Sequence, residues 1–426
     1  MAPRGKNNLL GFFARRLAVL AAALIGISLI GMRVAASEPS SGGKELRANR
    51  LTPAVDWLNA KAARMIRASR RTMKSGVAAF PPQVGSNYNA FWLRDYAYML
   101  EGRPDVFSDK ELVEAAQTFV NGQRDDGACL DCMKYDGTPI YKPGYGSMGA
   151  NPVADGSQFT VEVVWHAFER TKDVAWLGRL IGRLEKAMAA VPRNPENGLV
   201  HIKPGEPRDR CPYGFTDTIP KQGDVLFCSL LYVQAARQMA DLYRALDREE
   251  DAVRWNKEVC HVATSIREVF WRADEGLFRA ATVKCNQPDI WGSAFAVYLG
   301  VAHPEQSKAV AAYFRDHYDQ LVECGQVRHL PGGMYWEDTP YRDRYQNGAY
   351  WATPVGWFVY TLNLVDPALA DRTVVEMVED FQRRGVTEWV FGSTTAVPDY
   401  NASAALPLAG IRKMLEYREK KGRESF

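Results

Sequence analysis

The sequence predicts an all-α protein, an (α/α)6 toroid of six helical hairpins with long functional loops on one face. The chain of 426 residues, 46% of them hydrophobic, can bury one large core. Helical periodicity recurs along it with few competing strand signals. At roughly 30 residues per helix and loop, about a dozen helices fill the chain, which suits six hairpins better than a short bundle. Periodicity alone leaves an open helical array as the alternative.

Nine segments place apolar residues at steps of three and four, the pattern of a helix that buries one face. They are residues 53–73, 109–121, 157–171, 174–191, 224–246, 249–271, 304–318, 367–384 and 401–419. Shorter or more completely buried helices are predicted at 94–100, 290–301 and 348–362. Two stretches that follow helices, 195–200 and 273–278, read alike, which indicates repeated hairpins.

Three connecting loops are long and carry Gly, Pro, Trp and Tyr, at 125–155, 194–223 and 325–347. Loops of this length in a compact domain usually carry function. We therefore expect the chemistry of the protein to lie on them.

The N-terminus predicts export. An apolar run at 17–32 follows four basic residues and precedes small residues that end at Ala36, the pattern of a cleaved signal peptide. This divides the chain into a signal peptide at 1–36, a polar linker at 37–50 and a single catalytic domain at 51–426. The alternative is an uncleaved membrane anchor at 17–32. Either reading places the domain in the periplasm or outside the cell.

Charge and motif spacing exclude several classes. Five of the 53 basic residues and no acid precede Ala36, which leaves 48 basic against 50 acidic side chains, so a nucleic-acid partner is unsupported. Residues 144–149 have the spacing of a dinucleotide-binding glycine loop, but no strand precedes them and no helix follows directly. The six histidines lack metal-binding spacing. We predict no metal, no cofactor and no dinucleotide.

Seven cysteines are compatible with an oxidising compartment, but their odd number leaves at least one thiol free or paired between chains. Cys129 and Cys132 have the spacing of a redox or zinc motif, but no second pair follows. A local disulfide or no bond between them is the prediction.

Three acidic motifs lie among aromatic residues, Gly or Pro at predicted helix boundaries: 91–95 (FWLRD), 213–217 (YGFTD) and 387–389 (TEW). Cleavage of a glycosidic bond usually needs two carboxyl groups on opposite sides of the bond, one protonated and one ionised. Aromatic faces hold sugar rings. The three motifs together predict one sugar pocket.

The ordered set of these motifs, with 345–348 (YQNG), Trp351 and 398–405 (PDYNASAA), resembles the six-hairpin (α/α)6-barrel glycoside hydrolases. The nearest groups are the processing α-glucosidase and mannosylglycerate hydrolase family, the trehalases and, more distantly, the glucoamylases. The resemblance spans about 79–405. This sequence departs from the family at two points. Thr218 and Ile219 replace the Asn-Ser that usually follows the family's acidic residue, and Ala352 replaces a Pro. The resemblance therefore leaves the identity of the sugar open.

The resemblance implies that Asp217 is the general acid, Glu388 the general base, and Arg94 with Asp95 the pair that holds the terminal sugar. The substrate would be an oligosaccharide or glycoside, α-linked and cleaved from its end with inversion. In an inverting enzyme the two catalytic carboxyl groups stand about 6.5–9.5 Å apart, which leaves room for the attacking water.

Each role has a competing interpretation. Asp217 could form only a turn, and the rival acid Asp224 is expected to cap the following helix. Glu388 could be a surface charge, with Glu337 or Asp338 as rival bases. Arg94 and Asp95 could be an internal ion pair that ties a helix start to its neighbour.

The other predicted sugar contacts adjoin these motifs. Asp155 or Ser157 is expected to cap the helix at 157–171, with Gln158 reaching the pocket. The full set of further substrate-binding candidates is Trp92, Gln158, Tyr213, Phe215, Trp336, Asn347, Trp351 and Trp389.

Three rival functions use related toroids. A polysaccharide lyase would need a Tyr or His base and a strongly basic cleft, which the near-neutral mature charge and the acidic loops disfavour. A non-catalytic glycan-binding protein would keep the aromatic residues without needing both carboxyl groups. Phosphorolysis would replace the base by a phosphate site.

Overall fold

The computed structural model of the protein describes residues 41–141, 153–204 and 218–424. Its helices are α1 (Ser41–Ser69), α2 (Leu93–Gly102), α3 (Asp109–Asn121), α4 (Gly156–Thr171), α5 (Val174–Ala189), α6 (Leu226–Ala245), α7 (Glu249–Phe270), α8 (Ile290–Tyr298), α9 (Pro304–Asp316), α10 (Tyr318–Leu321), α11 (Val355–Leu362), α12 (Pro367–Arg384) and α13 (Asn401–Glu424). A 3-10 turn at Pro104–Val106 links α2 to α3.

The strands are short. They are β1 (Arg71–Thr72), β2 (Ala78–Ala79), β3 (Phe91–Trp92), β4 (Cys132–Met133), β5 (Pro139–Ile140), β6 (His201–Ile202), β7 (Gly223–Asp224), β8 (Trp271–Arg272), β9 (Leu277–Phe278), β10 (Val322–Glu323), β11 (Gln326–Arg328), β12 (Tyr350–Trp351), β13 (Thr387–Phe391) and β14 (Thr394–Pro398). Strands β10 to β14 form one antiparallel sheet in sequence order.

Six helices form an inner ring. They are α2, α4, α6, α8, α11 and α13. Each packs against the next in this order, and α13 packs against α2, which closes the ring. The outer helices α1, α3, α5, α7, α9 and α12 pack against this ring. The predicted (α/α)6 toroid is therefore confirmed, and the open helical array is wrong.

The division into inner and outer helices follows from their sequences. Helix α5 is amphipathic, and its buried residues from Trp176 to Met188 are the predicted apolar stripe. Helices α8 and α11 are apolar on nearly all sides, as a helix enclosed by others must be. Where α11 and α13 cross, Gly356 lies against Gly410, and a Cβ on Gly410 would lie 2.1 Å from the Gly356 carbonyl oxygen. This close crossing requires glycine.

Successive inner helices begin at the same end of the ring. Arg94 at the start of α2 lies beside Asp155 before α4, and Tyr400 before α13 contacts Asp95 in α2. Trp291 at the start of α8 packs against Trp351, which precedes α11. The positive ends of several helix dipoles therefore converge on one end of the toroid, where they favour carboxylates.

The structure differs from the predicted elements in several places, and strands β1, β7 and β8 take up ends of the helices predicted at 53–73, 224–246 and 249–271. The motif at 387–389 lies within β13, not at a helix boundary, and residues 350–351 form β12 because α11 begins only at Val355. These strands were missed because they are short and buried on both faces, so they show no alternation of polar and apolar residues. Helix α1 begins at Ser41, so part of the predicted linker at 37–50 is helical.

Cys129 and Cys132 are free thiols, so of the two predicted alternatives the structure has no bond between them. Within the described residues, no helix is both long and apolar enough to cross a membrane. The predicted signal peptide or anchor at 1–36, and the glycine loop at 144–149, lie outside those residues.

Two glutamates lie on inner helices, Glu101 half-buried in α2 and Glu162 buried in α4. The Tyr298 hydroxyl donates a hydrogen bond to Glu101 Oε1 at 3.1 Å, and burial raises the pKa of Glu101 to about 7. Burial and the nearby Glu101 raise the pKa of Glu162 well above its usual value. His166 Nε2 lies 3.9 Å from Glu162 Oε1, but burial lowers the pKa of His166 to about 4, so that ring is neutral at physiological pH.

We expect Glu101→Gln to stabilise the protein at high pH. The folded protein holds a proton on Glu101 that the unfolded chain releases above its pKa near 4.5, so the stability contributed by this group falls as pH rises from about 4.5 to about 7. Gln removes this loss and still accepts from Tyr298. Urea unfolding should show a gain of about 2–3 kcal/mol at pH 8 and little change at pH 4.5. A gain of equal size at both pH values, or the same effect from the surface variant Glu169→Gln, would contradict this prediction.

Candidate active site

Glu388 is a buried carboxylate at the centre of the site. It lies in β13, between β12 and β14, and only 2% of its surface is exposed. The Tyr88 hydroxyl donates a hydrogen bond of 2.5 Å to Glu388 Oε1. Glu388 is therefore an oriented group inside the protein, and the interpretation as a surface charge is wrong.

Tyr88 was not found by sequence reasoning. It lies in the loop before β3, and its ring centroid is 5.9 Å from each of Trp92 and Tyr400. A tyrosine in a polar loop has no spacing or pattern that marks it as a partner of a residue 300 positions away. The sequence offered no signal for it.

Arg94 and Asp95 both lie buried at the start of α2, but they have different partners. Arg94 Nη1 donates to Asp131 Oδ1 at 3.0 Å and lies 3.9 Å from Asp155 Oδ2. The Tyr400 hydroxyl donates to Asp95 Oδ1 at 2.6 Å. Burial, with Asp95, Tyr88 and Glu388 nearby, raises the pKa of Tyr400 well above its usual value, so this hydroxyl keeps its proton. Asp95 is thereby linked to Glu388 through two tyrosines.

Gln158 and Trp92 lie beside this cluster. Gln158 Nε2 donates to the Ala154 carbonyl at 2.8 Å, while its Oε1 is buried and has no hydrogen-bond partner among the described residues. Trp92 Nε1 is likewise a buried donor that has no hydrogen-bond partner within the described part of the chain. Asp155 is the N-cap residue of α4, but its side chain makes no capping bond and lies near Arg94 instead.

A second cluster lies around Asp289, the N-cap residue of α8. Asp289 Oδ1 accepts from the Gly292 backbone at 2.7 Å and lies 3.2 Å from His329 Nε2, while Oδ2 lies 3.6 Å from Lys221 Nζ. Burial alone would raise the pKa of Asp289, but His329 and Lys221 lower it to about 2. Burial lowers the pKa of His329 to about 4.

Trp336 belongs to this second cluster. Its ring lies edge-on to His329, with centroids 4.8 Å apart, and the Lys221 ammonium lies 5.0 Å from its centroid. Asn347, another predicted sugar contact, accepts from the Trp336 backbone at 2.8 Å and donates to the Thr339 carbonyl at 2.9 Å. The Asn347 side chain therefore organises its own loop.

The two remaining predicted tryptophans are buried. Trp351 lies against Trp291 and donates through Nε1 to the Tyr345 carbonyl at 3.0 Å. Trp389 follows Glu388 in β13 and pairs in register with Ala396. Trp351 therefore packs in the core behind the site, whereas Trp389 adjoins the proposed base.

The rival acid Asp224 does not cap the helix that follows it. Asp224 precedes α6, whose N-cap is Val225, so the predicted helix cap is wrong. The Asp224 carboxylate oxygens instead accept from Asn194 and Asn197 and lie 2.7 Å from His201 Nδ1.

The rival bases are exposed. Glu337 accepts from the Cys285 backbone at 3.0 Å, and Asp338 pairs with Lys284. Neither has the burial of Glu388.

Tyr213, Phe215 and Asp217 lie outside the described residues. The separation of Asp217 from Glu388 therefore remains a prediction. Within the described ranges, no group of three or more His, Cys, Asp or Glu side chains could hold a metal ion.

The fold matches that of known glycoside hydrolases. The structure of the GH63 mannosylglycerate hydrolase from Thermus thermophilus in complex with glucose superposes with a TM-score of 0.61 at 17% identity, over 83% of this chain and 100% of that one. The same enzyme with Tris and D-glycerate gives a TM-score of 0.58 at 14% identity, over 83% of this chain and 100% of that one.

A rhamnosidase from Klebsiella oxytoca with rhamnose bound gives a TM-score of 0.61 at 14% identity, over 85% of this chain and 64% of that chain. Comparison with protein-family models and with curated protein sequences finds no match. At these identities the comparison establishes the fold of this chain, the (α/α)6 toroid.

Proposed function

We propose that the protein is an exported glycoside hydrolase that removes an α-linked sugar from the end of its substrate with inversion of the anomeric centre. Glu388 is the general base and Asp217 the general acid. The observation that carries this proposal is the buried Glu388, which accepts a hydrogen bond from Tyr88 and is linked through Tyr88 and Tyr400 to Asp95, at the end of the toroid where inner helices begin.

In the proposed reaction the Glu388 carboxylate takes a proton from a water molecule as that water attacks the anomeric carbon. Asp217 gives a proton to the leaving oxygen, so one bond forms as the other breaks. Tyr88 donates to Glu388 Oε1 and so fixes the direction in which the carboxylate faces the water. Asp95 and Arg94 would hold hydroxyl groups of the terminal sugar, since charged groups form the strongest hydrogen bonds to hydroxyls.

The charges of the described site support a neutral substrate. Five buried carboxyl groups lie in its two clusters, and the buried cations of these clusters, Arg94 and Lys221, each face carboxylates. The five are Asp95, Asp131, Asp155, Asp289 and Glu388. A lyase acting on uronates would need a basic cleft, so these charges disfavour that alternative.

The test uses residues 37–426 and a panel of α-glucosides, α-mannosides and α-rhamnosides that includes trehalose and mannosylglycerate. The α-mannosides and α-rhamnosides are included because of the names of the structural neighbours. Proton NMR follows the anomer that is first released, and the wild type is measured beside Asp217→Asn. Inverted product, with a loss of about 10²–10⁴-fold in the folded variant, is the expected result.

Four outcomes would contradict the proposal. A retained anomer would indicate a covalent intermediate, and an Asp217→Asn variant as active as the wild type would remove the assigned acid. Sugar binding with no cleavage of any member of the panel would favour the glycan-binding protein. Turnover that requires inorganic phosphate would favour phosphorolysis.

A further inference from the structure

The segment that follows the proposed acid is held by a buried side chain from another loop. Thr218, the residue after Asp217, donates to Gln346 Oε1 twice, from its backbone amide at 3.1 Å and from its hydroxyl at 2.8 Å. Only 1% of the Gln346 surface is exposed. Thr218 is the residue directly after the proposed acid in the sequence, so Gln346 holds the neighbour to which Asp217 is covalently joined.

Gln346 is itself presented by a constrained loop. The Asp343 amide donates to the Asn347 carbonyl at 2.9 Å, and the Asn347 amide donates to the Arg344 carbonyl at 3.0 Å. Asp343 and Tyr345 have positive φ angles of 61° and 48°, which cost free energy for residues with a side chain. Surrounding contacts hold this conformation, so the position of the Gln346 amide is well defined.

The same segment has a second anchor a few residues later. Lys221 lies 3.6 Å from Asp289, the N-cap residue of α8, and the Gln222 amide donates to the Lys284 carbonyl at 3.2 Å. The Asp224 amide donates to the Thr282 hydroxyl at 2.9 Å. Gln346 thus completes a set of contacts that fixes residues 218–224 to three different parts of the structure.

We infer that Gln346 is a positioning residue for the general acid Asp217, an inference that rests on the proposed function. Its role is to set the distance between the Asp217 carboxyl group and the leaving oxygen through Thr218. Loss of such a constraint can cost about 10²-fold when a catalytic group moves by about 1 Å. The cost should appear only in reactions that need the proton from the acid.

The test is the dependence of rate on the leaving group. Gln346→Met removes the acceptor at similar volume, and it is compared with the wild type on dinitrophenyl, nitrophenyl and methyl glycosides of the sugar that the substrate panel identifies, and on the glycosyl fluoride. We expect kcat to fall by about 10²-fold on the methyl glycoside and by less than about 3-fold on the dinitrophenyl glycoside and the fluoride, whose leaving groups need little protonation.

Two variants make the result specific. Gln346→Glu keeps an acceptor oxygen for Thr218 and should restore most of the rate on the methyl glycoside. Gln306→Met is the matched control, because Gln306 Oε1 also accepts from a backbone amide, that of His303 at 2.9 Å, but at the outer helix α9. It should not change the leaving-group dependence.

The inference fails if Gln346→Met slows all leaving groups equally, if Gln306→Met gives the same pattern, or if Gln346→Glu does not restore the rate. The failure of the proposed function is distinct, since it would appear in the wild type as no hydrolysis or in Asp217→Asn as unchanged activity. Thr218→Val provides a second measurement, because it removes the hydroxyl donor and keeps the amide. It should shift the leaving-group dependence in the same direction by a smaller factor, and no shift would count against the inference.

Discussion

Replacing Glu388 by Gln is expected to lower the rate of glycoside hydrolysis by about 10²–10⁴-fold while the protein stays folded. Gln has nearly the same volume and can still accept the hydrogen bond from Tyr88, so the packing of β13 should be kept. An amide cannot take a proton from the attacking water at neutral pH. The loss should therefore lie in kcat, with little change in KM.

Azide separates loss of the base from general damage to the site. Azide attacks without first losing a proton, so it should restore turnover of a dinitrophenyl glycoside by Glu388→Gln and yield the inverted glycosyl azide. The matched control is Glu337→Gln, which changes an exposed carboxylate in a neighbouring loop. Assignment of the base would be wrong if Glu388→Gln kept wild-type activity or if Glu337→Gln caused the larger loss.

Tyr88→Phe provides a graded test of the same site. It removes the hydroxyl that orients Glu388 Oε1 but keeps the carboxylate and the ring contacts with Trp92 and Tyr400. Its effect on kcat should be smaller than that of Glu388→Gln and should not respond to azide. The two variants thus distinguish the group that takes the proton from the group that positions it.

The helices of this fold were predictable because each satisfies a strong local rule. Outer helices such as α5 carry an apolar stripe, and enclosed helices such as α8 are continuously apolar, so both kinds stand out in the sequence. The sheet from β10 to β14 was only partly predictable. Its outer pairs, β10–β11 and β13–β14, are hairpins closed by two-residue turns that contain Gly325 and Gly392, a local signal that was missed. Its middle strand β12 pairs with strands far away in sequence, for which no local pattern exists.

The site was predictable to the level of its acidic motifs and no further. The sequence motifs indicated Glu388, Arg94 and Asp95 through their setting among aromatic residues. They could not indicate that Tyr88 orients Glu388 or that Gln346 holds Thr218, since both contacts cross more than 100 residues. Partners of this kind depend on how loops from different hairpins meet, and single-sequence patterns do not carry that information.

Arg94→Met is expected to destabilise the protein by about 3–5 kcal/mol at neutral pH. Arg94 is a buried cation that donates to Asp131 and faces Asp155, both of which are buried as well. Removing its guanidinium takes away the charge that offsets these two carboxylates in a region of low dielectric constant. Methionine fills much of the volume, so the loss should be electrostatic rather than a packing defect.

The electrostatic origin of this loss makes it depend on pH in a defined direction. Without Arg94, the folded-state pKa values of Asp131 and Asp155 should rise above the unfolded value near 3.9. As pH falls towards about 4, the folded variant therefore binds protons before the unfolded chain does. This preferential binding recovers part of the lost free energy of unfolding. Urea unfolding at pH 7.5 and pH 4.5 should therefore show a smaller deficit at the lower pH. A packing defect would give the same deficit at both.

Arg124→Met is the matched control, because Arg124 pairs with Asp126 at the surface and should contribute no more than about 1 kcal/mol at either pH. Arg94→Lys keeps the charge but not the planar donors, so it should retain more stability than Arg94→Met and still weaken sugar binding. If Arg94→Lys lost stability as fully as Arg94→Met, geometry rather than charge would hold this corner of the site. The planar donors of the guanidinium, which lysine lacks, would then be what stabilises Asp131 and Asp155.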